Sequence, residues 1–132
     1  MQKIRIFIKK MAIFVYNITK ESHSGPNNFN CYRGVSVLSN PYTHIKDKKT
    51  KALFVVKDRE TAIKMYGEYF DKMYGNNICF TKEVDRIYEK YKNGEDVYLG
   101  CYCAPEHCHC DIIKEKLEKR LVLEKIRNIK KS

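Results

Sequence analysis

The chain has 132 residues, of which 43% are hydrophobic, and its formal net charge is +10. This length suits one domain with a core of its own, here residues 1–132, and excludes two full-sized domains, while the composition excludes a low-complexity protein. No apolar run approaches the roughly 18 residues of a membrane span, so we expect a cytoplasmic protein that makes no membrane contact.

The basic residues are concentrated at the two ends of the chain. Residues 1–10 carry +4, and residues 112–132 carry eight Lys or Arg against three Glu, so the remainder is nearly neutral. Nucleic-acid binding is typical of a basic stripe across a fold. This distribution favours a solvated lysine-rich surface and leaves nucleic-acid contact through the termini as an alternative.

The first part of the chain predicts strands and loops. The segment "KIRIFI" alternates apolar with other side chains, which predicts a half-buried strand in an N-terminal extension, residues 1–10. The run "MAIFVYNI" predicts a strand buried on both faces. Turn-forming and lysine residues predict loops at 19–31 and 46–51, and "CYRGVSVLSNPYTHI" predicts a short strand or extended segment.

The second part predicts three helices and one more strand. Asp58 is placed to cap a helix that stops at Gly75, a second helix starts at Thr81, and a third spans about 108–129. Before the third helix, "DVYLGCYC" predicts a strand. These elements predict a single small layered α/β domain with a short, mostly parallel sheet and about three packed helices.

Within this domain we expect a core of about residues 12–121 and a basic helical tail over 122–132. The strand within "DVYLGCYC" is predicted to pair in parallel with the N-terminal strand, because a helical crossover joins parallel neighbours. The tyrosines and methionines of the helices follow helical spacing, and we interpret them as core residues.

The segment "CYCAPEHCHCD", residues 101–111, contains four of the six cysteines and two of the four histidines. Cys101 and Cys103 share one face of the predicted strand. Helical periodicity turns His109 inward and Asp111 outward, where its carboxylate complements the helix dipole. Ligands in open α/β sheets bind beyond the carboxyl ends of strands, and a helix N-terminus there attracts anions and favours thiolates.

Three interpretations of this segment stay open. Cys101, Cys103, Cys108 and His109 are a candidate zinc set, although helical angles of about 100° per residue separate Cys108, His109 and Cys110. Alternatively, Cys103 or Cys108 is a nucleophile with His109 as its base or as an imidazolium partner. In the third interpretation, the cysteines fill the strand-helix junction as small hydrophobic side chains.

Two upstream residues are candidates for the far wall of such a site. Arg33 lies beside a glycine and can anchor a phosphate or carboxylate. Asn40 precedes Pro41, which holds the backbone extended, so its amide can orient a ligand.

The segments "YRGVSVLSNPYTH" and "YLGCYCAPEHCHCDII" together resemble a small bacterial and phage family, domain of unknown function 4326. Its pattern runs "IGR…GNP(F/Y)", then a helical middle, then "CxCxPxxCHxD", and the resemblance extends over about residues 12–121. The matching positions are Arg33, Asn40, Pro41, Cys101, Cys103, Pro105, Cys108, His109 and Asp111.

The chain departs from this pattern at Ser39, where glycine is usual, and at Cys110, where a small residue is usual. The resemblance implies a compact α/β domain with a shared site and no assigned reaction. It also implies that Cys110 and His107 are not needed for a chemistry common to the family, and it suggests a bacterial or phage-infected host cell.

We therefore predict a site that binds a small anionic ligand such as a nucleotide or nucleotide-sugar, and we leave open whether the protein acts on that ligand. Cys103, Cys108 and His109 are the predicted catalytic residues, and the predicted ligand-binding residues are Arg33, Asn40, Cys101 and Asp111. The alternative is a module stabilised by zinc at Cys101, Cys103, Cys108 and His109 that binds nucleic acid through its basic termini. The oligomeric state stays open.

Overall fold

The structure is a computed structural model that describes residues 12–45 and 53–131. The strand predicted within residues 1–10 and the loop predicted at 46–51 lie outside the described residues. The described strands are β1 (Ile13–Asn17), β2 (Asn28–Asn30), β3 (Tyr42–Thr43), β4 (Phe54–Val55) and β5 (Val97–Cys101).

Three of these strands form a parallel sheet in the order β1-β5-β2. Ile13 lies opposite Val97 in the β1-β5 pair, and Phe29 lies opposite Leu99 in the β2-β5 pair. The predicted parallel pairing of the strand before the cysteine segment is therefore confirmed. The strands β3 and β4 form a separate parallel pair.

The structure differs from prediction in two places along the first part of the chain. Residues 19–31, predicted as a loop, contain β2, in which Phe29 is buried while the Tyr16 hydroxyl donates to the Asn28 side chain. Residues 31–45, predicted as a short strand or extended segment, form mainly turns that end in β3. Asparagine is uncommon in strands, so β2 exists because of its tertiary contacts rather than its propensity.

The three described helices agree with the predicted number. They are α1 (Arg59–Met73), α2 (Ile78–Lys92) and α3 (His109–Lys131). Asp58 caps α1 as expected, since its carboxylate accepts from the Thr61 N–H at 2.7 Å. The second helix begins three residues before Thr81 because the Asn77 side chain accepts from the Phe80 N–H and caps it earlier.

The helices pack on the sheet and enclose the hydrophobic core. Tyr66 of α1 is fully buried, and its hydroxyl donates to the Leu38 carbonyl at 2.6 Å. This bond holds the turns of residues 31–41, the turn segment, against the helix. Helix α3 packs against α1, β1 and β5. Among the described residues, no helix is long and apolar enough to cross a membrane.

Candidate functional site

The connection from β5 to α3 passes over the carboxyl end of the sheet. Strand β5 ends at Cys101, two residues earlier than predicted, and the Ala104–Pro105 peptide bond is cis. Asn17, the last residue of β1, donates from Nδ2 to the carbonyls of Tyr102 at 3.0 Å and Ala104 at 3.1 Å. These two bonds fix the connection above the neighbouring strand.

A cavity of about 460 Å³ opens beside this connection. Its other walls are the turn segment before β3, the residues after β3 and the first turns of α1. Five of the predicted site residues line it: Arg33, Asn40, Cys103, Cys108 and His109. The other two predicted ligand-binding residues, Cys101 and Asp111, are not part of its lining.

Positive charge dominates the cavity. Of the residues that the structure describes, Lys20, Arg33 and Arg59 line it together with one carboxylate, that of Glu106, which pairs with Arg59 at 2.8 Å. Arg33 donates from Nε to the Asn40 carbonyl at 2.9 Å and from Nη2 to a second backbone carbonyl at 3.1 Å. Burial lowers the pKa of Arg33, but a guanidinium stays charged at neutral pH.

Asn40 is buried and makes hydrogen bonds that shape the cavity wall. Its Nδ2 donates to the Ala62 carbonyl of α1 at 3.2 Å, and its Oδ1 accepts from the Tyr42 N–H at 2.9 Å. Asn40 therefore joins the turn segment to α1. Nδ2 carries a second proton that is not donated to any described residue.

Behind the cavity wall, three buried thiols converge. The sulfur atoms of Cys101, Cys108 and Cys110 lie within 4.8 Å of one another, so this group could hold a metal ion. The Cys108 thiol donates to Cys101 Sγ at 3.5 Å. Cys103 is partly exposed in the cavity. The structure thus brings Cys110 into the group, in contrast to the predicted metal set, which contained Cys103 and His109.

The position of Cys108 explains this difference. Cys108 precedes the first residue of α3, so the angular spacing of a helix does not separate its side chain from that of Cys110. His109 Nε2 lies 2.7 Å from the Cys31 carbonyl oxygen and 3.9 Å from Cys110 Sγ, so the imidazole borders the group of three thiols without belonging to it.

Hydrogen bonds among the thiols lower the pKa of some of these cysteines and raise the pKa of others. Thiols of Cys108 and Cys110 donate to Cys101, which lowers the pKa of Cys101 and raises the pKa of both donors. The Cys108 thiol, assisted by the positive charge of Arg59, lowers the pKa of Cys103 to about 7. With a pKa of about 7, Cys103 is partly a thiolate at neutral pH, and it is the more exposed of the two cysteines that line the cavity.

His109 is held as a neutral imidazole. A carbonyl only accepts, so the short contact with Cys31 places the proton on Nε2 and leaves Nδ1 as a base. The ring also packs edge-on against Tyr66, with centroids 5.1 Å apart. Burial lowers the pKa of His109, which favours the predicted role of base over that of imidazolium partner.

Asp111 caps the N-terminus of α3. Its Oδ2 accepts from the Cys108 N–H at 2.9 Å, which is the carboxylate half of a capping box. The carboxylate thus complements the helix dipole as expected, and it also fixes the backbone of a cavity residue.

Comparison with known proteins gives one match. The sequence model of a family described as a domain of unknown function (DUF4326) matches residues 16–119. The chain belongs to this family. The DUF4326 segment begins near the end of β1, ends within α3 and contains every residue that lines the cavity. No curated protein and no solved structure matched the chain.

Sequence reasoning did not single out Lys20, Arg59 or Asn17 as site residues. Arg59 directly follows the predicted cap of α1, but its approach to Cys103 depends on how α1 packs against α3. Cys110 was visible in the sequence, but we did not count it as a site residue because a small residue is usual at that position of the DUF4326 pattern. Of these three residues, only Asn17 could have been recognised from the sequence. It is a polar residue at the carboxyl end of a predicted buried strand, which is where ligands bind in open α/β sheets.

Proposed function

We propose that the cavity binds a small anionic ligand of the nucleotide or nucleotide-sugar class and that the Cys103 thiolate acts on it. The observation that carries this proposal is a partly exposed thiol, Cys103, in a cavity whose described lining has three cationic side chains and one carboxylate. Such a field attracts anions, and a thiolate is the nucleophilic form of cysteine.

The lining supports a division of roles. The N–H groups of Arg33 that are not donated to backbone carbonyls can bind a phosphate, and Arg59 lies on the side of Cys103. The rings of Tyr42 and Tyr102 also line the cavity and offer surfaces for a base or sugar. Its volume of about 460 Å³ falls in the usual range for small-molecule sites. His109 would accept a proton.

Titration calorimetry with nucleotides, a nucleotide-sugar and the uncharged nucleoside tests this proposal. Phosphate-bearing compounds should bind and the nucleoside should bind at least about tenfold more weakly, which corresponds to about 1.4 kcal/mol. Arg59→Gln should weaken nucleotide binding by a similar factor. Its matched control is Arg86→Gln, because Arg86 forms an exposed pair with Glu83 outside the cavity.

Equal binding of nucleoside and nucleotide, or equal loss in both arginine variants, would contradict the proposal. Arg33→Gln is a less suitable variant because Arg33 also holds two backbone carbonyls, so its loss changes the wall itself.

The second candidate function is a zinc-stabilised module that binds nucleic acid through its basic termini. The convergence of Cys101, Cys108 and Cys110 favours its first half, because thiolates are preferred zinc ligands. Elemental analysis of untagged protein should find about one zinc per chain under this proposal, and no zinc would contradict it. Salt-dependent nucleic-acid binding that is lost in Lys125→Glu/Arg127→Glu would support its second half.

A further inference from the structure

Free thiols lie both at the cavity wall and behind it. Cys103 is partly exposed at the cavity wall, and Cys108 lines the same wall but is buried. Behind them, Cys101 Sγ lies 3.5 Å from Cys108 Sγ. All three are free thiols, and two of them, the accessible Cys103 and the buried Cys108, line the same cavity.

We propose that Cys103 and Cys108 form a dithiol couple that reduces a small anionic disulfide bound in the cavity. This inference rests on the proposed function, since it uses the same cationic cavity, and it specifies the reaction and requires an anionic ligand that carries a disulfide. A site that used one cysteine as its nucleophile would not need a second cysteine in the same cavity. Here the accessible cysteine and a shielded one line the same wall.

The reaction has two displacement steps. The Cys103 thiolate attacks one sulfur of the bound disulfide, a Cys103–ligand mixed disulfide forms, and the first ligand thiolate leaves. Cys108 then gives up its proton and its sulfur attacks Cys103 Sγ. A Cys103–Cys108 disulfide forms, and the second ligand thiolate leaves. Two protein thiols are oxidised and one ligand disulfide is reduced to two thiols. A dithiol reductant regenerates the protein.

The surroundings assign the order of the two cysteines. Cys103 attacks first because it is the more exposed of the pair, and Arg59 beside it also attracts an anionic substrate. Cys108 acts second because it is buried, and it lines the cavity in which Cys103 would hold the mixed disulfide. Cys101 can receive the Cys108 proton, since the Cys108 thiol already donates to it.

The test uses the full chain carrying Cys79→Ala, because Cys79 is an exposed thiol that would react independently. The probe is 5,5′-dithiobis(2-nitrobenzoate), an anionic disulfide whose released thiolate absorbs visible light. We expect two thiolates released per chain and a Cys103–Cys108 disulfide in the peptide map. Cys108→Ser should release one thiolate and retain the adduct on Cys103. Cys103→Ser should slow release at least about tenfold.

The neutral disulfide 2,2′-dithiodipyridine is the matched probe. For each probe, the rate with the protein is divided by its rate with free cysteine, and this ratio should be lower for the neutral probe. A stable one-to-one adduct on Cys103 while Cys108 is present, or a Cys101–Cys108 disulfide as the product, would overturn the inference. So would equal relative rates with both probes. Nucleotide binding is measured on the same proteins: if it persists while the dithiol reaction fails, the proposed function stands and only the couple is refuted.

Discussion

Gly100 offers a sharp test of how tightly the end of the sheet is packed. A Cβ added there would lie 2.5 Å from Asn30 Oδ1, 2.9 Å from Ile18 Cγ2 and 3.1 Å from the Tyr16 hydroxyl oxygen. The buried Tyr16 has little room to move, and its hydroxyl is bonded to Asn28. We expect Gly100→Ala to lower the free energy of unfolding by about 1–3 kcal/mol, the usual cost of overpacking.

The matched control is Gly67→Ala, the same chemical change within α1. Its Cβ would be 3.8 Å from Ile112 Cγ2, an ordinary contact, and alanine is a better helix former than glycine. That variant should gain about 0.5–1 kcal/mol. Thermal melts should separate the two, with Gly100→Ala losing about 3–15 °C in Tm. A Gly100→Ala protein that melts at or above the wild-type temperature would refute the described packing at Gly100.

Three further predictions concern single groups of the site. Alkylation of Cys103 by iodoacetamide, followed by peptide mass spectrometry, should show a pH midpoint of about 7, which Arg59→Gln should raise; an unchanged midpoint would argue against that charge effect. Asp111→Ala should cost about 1 kcal/mol in urea unfolding because α3 loses its cap, and a cost near zero would contradict capping. Because burial lowers the pKa of His109 from 6.5, the unfolded chain binds a proton that the folded chain rejects, so stability should fall as pH drops below 6.5. His109→Gln should flatten this dependence, and an equally steep loss would exclude His109 as its source.

The parts of the fold that follow simple periodicity were predictable. Apolar residues at helical spacing predicted α1 and α3, and the apolar run before the cysteine segment predicted β5. The location of the cavity was predictable too, because the ends of parallel strands and a helix N-terminus meet there. Five of its lining residues were therefore named from the sequence: Arg33, Asn40, Cys103, Cys108 and His109.

The remainder depends on contacts between distant parts of the chain. The Asn-Phe-Asn of β2 carries no strand pattern, and it is a strand because β5 offers hydrogen bonds beside it. Arg59 reaches Cys103 only through helix packing. The grouping of Cys110 with Cys108 depends on the residue at which α3 begins, and sequence patterns locate helix ends within only a few residues.

The strand order also determines when the sheet can form during synthesis. Within the described residues, β1 and β2 each pair with β5 and not with each other, although they lie about 70 to 85 positions upstream of it. Both strands therefore leave the ribosome before their partner exists, with backbone groups that other chains could pair. The strand that completes the sheet also carries Cys101, so this sheet and the thiol group are completed nearly together, after α1 and α2 have been synthesised.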